Sequence, residues 1–129
     1  MPERFVADTD LLIDYGHDVP DAVAVISGSG ASGLVFVHSV SVMEILQGVL
    51  NRRHLAETLS FLAAFRRVHA KSADHEHAVQ LMVEYRLSHG IGWPDCLIAA
   101  TCLRLALPLV TLNDKHFRPI RGLRVVRPY

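Results

Sequence analysis

The sequence has little of what staples or anchors a small protein. Its two cysteines, Cys96 and Cys102, stand six residues apart in what reads as one helix. That spacing sets them on different faces and excludes a bond between them. They read as reduced, buried small hydrophobes of a cytosolic protein. No apolar run approaches the length that spans a bilayer, because Arg104 breaks the longest one. No secretory leader is visible, since Glu3, Asp8 and Asp10 interrupt the first residues. The expectation is a cytoplasmic protein with no membrane segment. Net charge is missing too, because 13 Lys and Arg balance 13 Asp and Glu. That balance excludes a strongly basic nucleic-acid coat protein and an acidic disordered tail. A nucleic-acid enzyme stays open, because charge can be segregated within a neutral total.

What the sequence does have is apolar residues, 50% of 129, with 20% charged. A chain of this length reads as one domain, residues 1–129, and buries a core without disulfides or structural metal. Its charge is indeed segregated. Residues 1–21 hold Glu3, Asp8, Asp10, Asp14, Asp18 and Asp21 against one base, Arg4. Residues 115–129 hold Lys115, Arg118, Arg121, Arg124 and Arg127 against no acid. The plain reading of that stretch is a solvated tail. The sharper one is an acidic site in one region and a basic lip in another.

Residues 4–7 (R-F-V-A) read as a short strand ending at Asp8. Residues 9–15 read as a helical turn or two, and 21–27 as a short helix. Residues 34–38 (L-V-F-V-H) make a second buried strand. Helices follow over 42–50 and 51–65, the latter with Leu55, Leu59, Leu62 and Phe65 at helical spacing. Residues 68–71 make a third strand and 73–88 a helix stopped by Gly90. Residues 94–105 form a nearly all-apolar helix stopped by Pro108, with strands at 109–111 and 123–126 after it. Short strands, apolar on both faces and alternating with helices, predict a three-layer α/β/α sandwich with a central parallel sheet.

Three motifs point elsewhere and fail on context. Gly28-Ser29-Gly30-Ala31-Ser32-Gly33 spells G-x-G-x-x-G, but it follows a helix and precedes a strand, the reverse of a dinucleotide site. It reads as a flexible connection. His75 and His77 are two apart on a helix, so their imidazoles diverge and do not build a zinc site. Asp8-Thr9-Asp10 suggests an aspartate-nucleophile phosphatase, which also needs a lysine and a distal acid pair; the only lysines are Lys71 and Lys115.

The acids carry more. Asp8 ends the first strand, and Glu44 and Asp95 open helices. Asn113 and Asp114 follow the strand at 109–111. Each has an ordinary structural use. Asp8 caps a helix, Ser41-Val42-Met43-Glu44 is a capping box, Asp95 is the acid after Pro94, and Asn113-Asp114 is a turn. Taken together they fall where an open parallel sheet binds ligands, at the carboxyl ends of its strands. Converging carboxylates repel and raise one another's pKa unless a cation offsets them. Oxygen donors with no His or Cys suit Mg²⁺ or Mn²⁺, and such sites hydrolyse phosphodiesters.

At this point the chain resembles a known family. Phe5-Val6-Ala7-Asp8-Thr9-Asp10-Leu11-Leu12-Ile13-Asp14 resembles the D-T-S/N-x-L-I-D opening of PIN-domain ribonucleases. Ser41 to Gly48 (S-V-M-E-I-L-Q-G) resembles their second motif, and Pro94-Asp95-Cys96-Leu97-Ile98-Ala99-Ala100 the third. Leu109-Val110-Thr111-Leu112-Asn113-Asp114-Lys115-His116-Phe117 resembles the fourth, and the length and ending are those of VapC toxins of bacterial toxin–antitoxin pairs. The resemblance implies a PIN-like fold and an endoribonuclease dependent on Mg²⁺ or Mn²⁺. Asp8, Glu44 and Asp95 are then its catalytic, metal-binding acids. The fourth place falls to Asn113, at the family's T-x-D/N position, or to Asp114 beside it. Asp10 adds a carboxylate where Ser or Asn is usual, and Thr111 matches the Thr that orients groups near the metal. His116 reads as a surface histidine beside Phe117.

The resemblance also implies a homodimer and a small antitoxin whose tail wraps the toxin, with the helices between Val42 and Phe65 as its host surface. RNA phosphates would meet Arg118, Arg121, Arg124 or Arg127, with Arg52-Arg53 and Arg66-Arg67 as alternative contacts. Two other readings compete. One is a non-catalytic PIN-like module that binds RNA or a partner, which the amide at Asn113 keeps open. The other is a phosphoryl-transfer domain using Asp8 and Asp10.

Overall fold

The structure, a computed structural model, describes residues 1–30 and 34–129. In chain order the elements are β1 (Phe5–Ala7), α1 (Thr9–Gly16), α2 (Pro20–Gly30), β2 (Val35–His38), α3 (Ser39–Gln47), α4 (Arg52–Leu62), β3 (Arg66–Val68), α5 (Ser72–His89), α6 (Trp93–Leu105), β4 (Leu109–Val110), α7 (Asp114–Phe117) and β5 (Val125–Val126). The strands form one parallel sheet in the order β3-β2-β1-β4-β5.

Side-chain alternation along each strand splits the core into two layers. On one face Val6, Phe36 and Leu109 pack against Leu81 of α5 and Ile98 and Cys102 of α6. On the other, Phe5, Ala7, Val35, Val37 and Val110 pack against Leu11 and Leu12 of α1, Ala22 and Ile26 of α2, and Leu62 of α4. The expected three-layer sandwich is therefore present, and strands buried on both faces explain their continuous apolar runs. The strand order reverses at β1, with β2 on one side and β4 on the other. Such a reversal opens a crevice outside the C-terminal ends of the two central strands.

Several boundaries differ from the sequence expectation. Helix α3 begins at Ser39, not Val42, and its cap is His38, whose Nδ1 accepts the Val40 amide at 3.0 Å. The capping box at Ser41 and Glu44 is thus not formed; both residues lie within the helix. Strand β3 occupies Arg66–Val68 rather than 68–71. It is an edge strand with both arginines exposed, so no apolar pattern marks it. Helix α4 stops at Leu62, and Phe65 instead packs its ring 5.6 Å from Phe61 and 6.0 Å from Tyr15. The short helix α7 was not expected; fully buried Phe117 anchors it. Helix α2 continues through Gly30, into the glycine-rich connection, and the rest of that connection, residues 31–33, lies outside the described residues. Cys96 and Cys102 are free and buried, as expected, and burial raises both thiols' pKa. Among the described residues no helix is long and apolar enough to cross a membrane.

Candidate active site

The crevice between β1 and β4 is built around Asp8. Its backbone continues the strand ladder, its amide donating to the Val110 carbonyl at 3.0 Å. The side chain then caps α1. Oδ1 accepts the Thr9 amide at 2.9 Å, and Oδ2 accepts the hydroxyl of Thr111 at 2.7 Å. Asp8 is only 5% exposed, and Thr111 is fully buried at the end of β4. Burial, then the charge of Asp10, pushes the Asp8 carboxyl up to about 7.

Asp10, in the first turn of α1, leans into the same crevice. Its Oδ1 accepts the amides of Leu11 at 2.7 Å and Leu112 at 3.3 Å. Asp95 enters from the first turn of α6. Desolvation raises both carboxyls' pKa; Asp10 and Asp95 each add to the charge around Asp8, and Asp10 also raises Asp95. Neither Lys nor Arg bonds to Asp8, Asp10 or Asp95 among the described residues. Glu44 comes from α3 and is exposed, with Oε1 2.9 Å from the Thr9 hydroxyl. That hydroxyl is also 2.9 Å from Ser41 Oγ, so Thr9 ties α1 to α3 beside the crevice. The sequence reading gave Ser41 only a capping role and Thr9 none, although Thr9 stands in the first motif next to Asp8.

The segment after β4 separates the two candidates for the fourth donor. Thr111 Oγ1 accepts the Asn113 amide at 3.0 Å, which holds Asn113 beside Asp8. Asn113 Nδ2 is 2.8 Å from His116 Nδ1, and the same ring nitrogen is 3.3 Å from Asp95 Oδ2. His116 is therefore no plain surface histidine; it bridges Asn113 and Asp95. That one nitrogen serves one partner at a time: unprotonated it accepts from Asn113 Nδ2 and leaves the amide carbonyl free to ligate, and protonated it donates to Asp95. Asp114 is placed differently. Its Oδ2 accepts Arg118 Nε at 2.7 Å and its Oδ1 accepts Arg127 Nη1 at 3.2 Å, and this pairing holds its carboxyl below the usual range. Arg127 Nε also reaches the Tyr129 carbonyl at 3.0 Å, and the Tyr129 hydroxyl donates to Asp14 at 2.8 Å. Arg118 and Arg127 thus fasten the C-terminal segment. Arg121 and Arg124 are exposed, and no side-chain partner for either occurs among the described residues.

The donors fit a hard divalent cation. They are all oxygens, carry excess negative charge, and have neutral hydrogen-bond partners at Asp8 and Asp10. They are not closed around a point: among the described residues no three His, Cys, Asp or Glu side chains are near enough to enclose an ion as they stand. Glu44 is drawn to Thr9 and Asp95 to His116.

A parallel α/β sandwich with carboxylates gathered at its switch point defines an acid-lined domain of the kind that handles cations and phosphate esters. The chain belongs to the PIN domain family, whose profile matches residues 5–123. It is 34% identical over 120 residues to Ribonuclease VapC10 of Mycobacterium tuberculosis, covering 92% of this chain and 90% of that protein. A toxin–antitoxin complex from Klebsiella pneumoniae contains a chain of similar structure, with TM-score 0.79, 26% identity and coverage of 97% and 98%. The DNA-bound VapBC from Salmonella typhimurium shares the fold with TM-score 0.78 at 21% identity, covering 95% of this chain and 96% of that one.

Proposed function

We propose that this protein is an endoribonuclease that uses Mg²⁺ or Mn²⁺ and acts as the toxin of a toxin–antitoxin pair. The observation that carries the reading is Asp8, a buried carboxyl raised to about 7 beside Asp10 and Asp95 with no basic side chain on it. Family membership and the similarity to a mycobacterial ribonuclease supply the reaction class. Asp8, Glu44, Asp95 and the carbonyl of Asn113 are the proposed donors, in preference to Asp114, whose oxygens are taken by arginines. A bound cation would acidify a water and take up charge developing on the phosphate. The chain's own work is orientation. The Thr9 amide and Thr111 hydroxyl fix the two oxygens of Asp8. The Thr9 hydroxyl steadies Glu44, and His116 Nδ1 steadies Asn113 when unprotonated and Asp95 when it carries the proton. Exposed Arg121 and Arg124 are the proposed contacts for RNA phosphates.

For the antitoxin, a groove of about 240 Å³ between α1, α3 and α4, lined by Leu12, Ile13, Ile45 and Phe61, offers an apolar seat. Its α3 and α4 walls fall within residues 42–65, the helices expected from sequence to host that partner, and its α1 wall lies outside them. The expected homodimer is checked by light scattering of the purified protein.

Purified protein freed of any partner should cut structured RNA when Mn²⁺ is supplied. Protein that binds RNA and Mn²⁺ yet cuts nothing would instead be a binding module. Asn113→Ala should lower cleavage by one to two orders of magnitude, roughly what removing one outer partner of a metal centre costs, or more. Asp114→Ala should leave the Mn²⁺ dependence of cleavage unchanged; the reverse pattern would make Asp114 the donor.

A further inference from the structure

A chain of buried polar contacts crosses the core behind the acids. His38, fully buried, ends β2 and caps α3, its Nδ1 accepting the Val40 amide. Nε2 therefore carries the ring proton and stands 2.9 Å from Oγ1 of Thr101, in the middle of α6. Burial drives the imidazole pKa down to about 4, so the ring is neutral and keeps this tautomer at working pH. Thr101, also fully buried, lies 2.9 Å from the Leu97 carbonyl and 3.4 Å from Asp74 Oδ2. Asp74, 2% exposed in the first turn of α5, accepts the Lys71 amide at 2.8 Å and Arg104 Nε at 2.9 Å. Arg104 closes the chain on the His69 carbonyl at 3.1 Å. Among the described residues no buried side-chain polar atom lacks a partner.

Stability alone does not call for such a chain, since apolar side chains of similar shape commonly serve a core as well. What apolar packing supplies poorly is direction. A hydrogen bond fixes angle as well as distance, and it is strict where leaving it unmade is costly. The two elements this bond joins both carry acids of the site: α3 carries Glu44 and α6 carries Asp95. We propose that His38 and Thr101 are positioning residues, whose buried hydrogen bond sets α3 against α6 and thereby the spacing of Glu44 and Asp95 around one divalent cation. This inference rests on the nuclease reading above.

The test is calorimetric titration with Mn²⁺ alone, beside thermal unfolding in EDTA. Thr101→Val removes the hydroxyl at nearly constant volume and should weaken Mn²⁺ about tenfold, the lower end of what supporting contacts to metal ligands are worth. Thr101→Ser, which keeps the hydroxyl, should bind within twofold of wild type. His38→Asn keeps a cap acceptor but withdraws the reach to Thr101, so it should match Thr101→Val, and it carries the comparison if Thr101→Val does not fold. In a Glu44→Gln background the further loss from Thr101→Val should vanish, because no spacing remains to be set. Wild-type Mn²⁺ affinity in both Thr101→Val and His38→Asn, with only the unfolding temperature lowered, would overturn the proposal. Wild-type protein that takes up no Mn²⁺, when Asp8→Asn takes up none either, overturns the nuclease reading and this inference with it.

Discussion

Asp8 is held by one amide and one hydroxyl, both neutral, while two further carboxyls stand near it. In the unfolded chain such a group ionises near 3.8; here it ionises at about 7. Between those values the folded state keeps a proton that the unfolded state has lost, so stability falls as pH rises. Fully developed, a shift of this size amounts to on the order of 4 kcal/mol. Metal-free protein in EDTA should therefore melt lower at pH 7.5 than at pH 5, and Asp8→Asn should remove most of that difference while raising the melting temperature at pH 7.5. An unchanged pH dependence in Asp8→Asn would mean that Asp8 is not the strained group. Uptake of Mn²⁺ near pH 6.5 should release a proton, read as a buffer-dependent heat in calorimetry. At this scale Asp8 and Thr111 were legible at strand ends and Asp95 at a helix start, whereas Glu44, expected in a first turn, lies inside α3. The roles of His116 and Asp114 were not legible. Asp95 lies 21 residues from His116 and Arg127 lies 13 from Asp114, a range local spacing does not encode. The nearer Asn113–His116 and Asp114–Arg118 contacts depend on α7, which no apolar pattern marked.

The elements that deliver these side chains were mostly readable from apolar periodicity, and the misses share a cause. Edge strand β3 displays Arg66 and Arg67, and α3 opens on a buried histidine, so in both places polar residues hide the pattern. His38 did leave a signal, as a polar residue closing the apolar run of β2. The basic C-terminal stretch divides by element as well. Arg118 at the end of α7 and Arg127 after β5 clasp Asp114, whereas Arg121 and Arg124, on the connection into β5, project from it. Replacing Arg121 and Arg124 together by Ala should weaken RNA binding and lower the slope of log affinity against log salt by about two, one for each phosphate no longer neutralised. Arg118→Ala should leave that slope nearly unchanged. Equal effects from all three positions would return the stretch to a general cationic surface.

Across the whole molecule the balance of 13 bases and 13 acids conceals an arrangement. Two helical layers bury a sheet whose strand order reverses at β1, and the reversal collects Asp8, Asp10, Asp95 and Asn113 at one mouth. A neutral sum thus contains a site short of positive charge, which a divalent cation and its phosphate substrate would complete. The most direct measurement of that claim is cleavage of a structured RNA by partner-free protein and by Asp8→Asn, each with Mn²⁺, then with EDTA, then with Mn²⁺ restored. Wild type should cut, stop and cut again, while Asp8→Asn, folded and at least as stable, should lose at least two orders of magnitude in rate. Cleavage that persists in Asp8→Asn, or that ignores EDTA, would contradict the account.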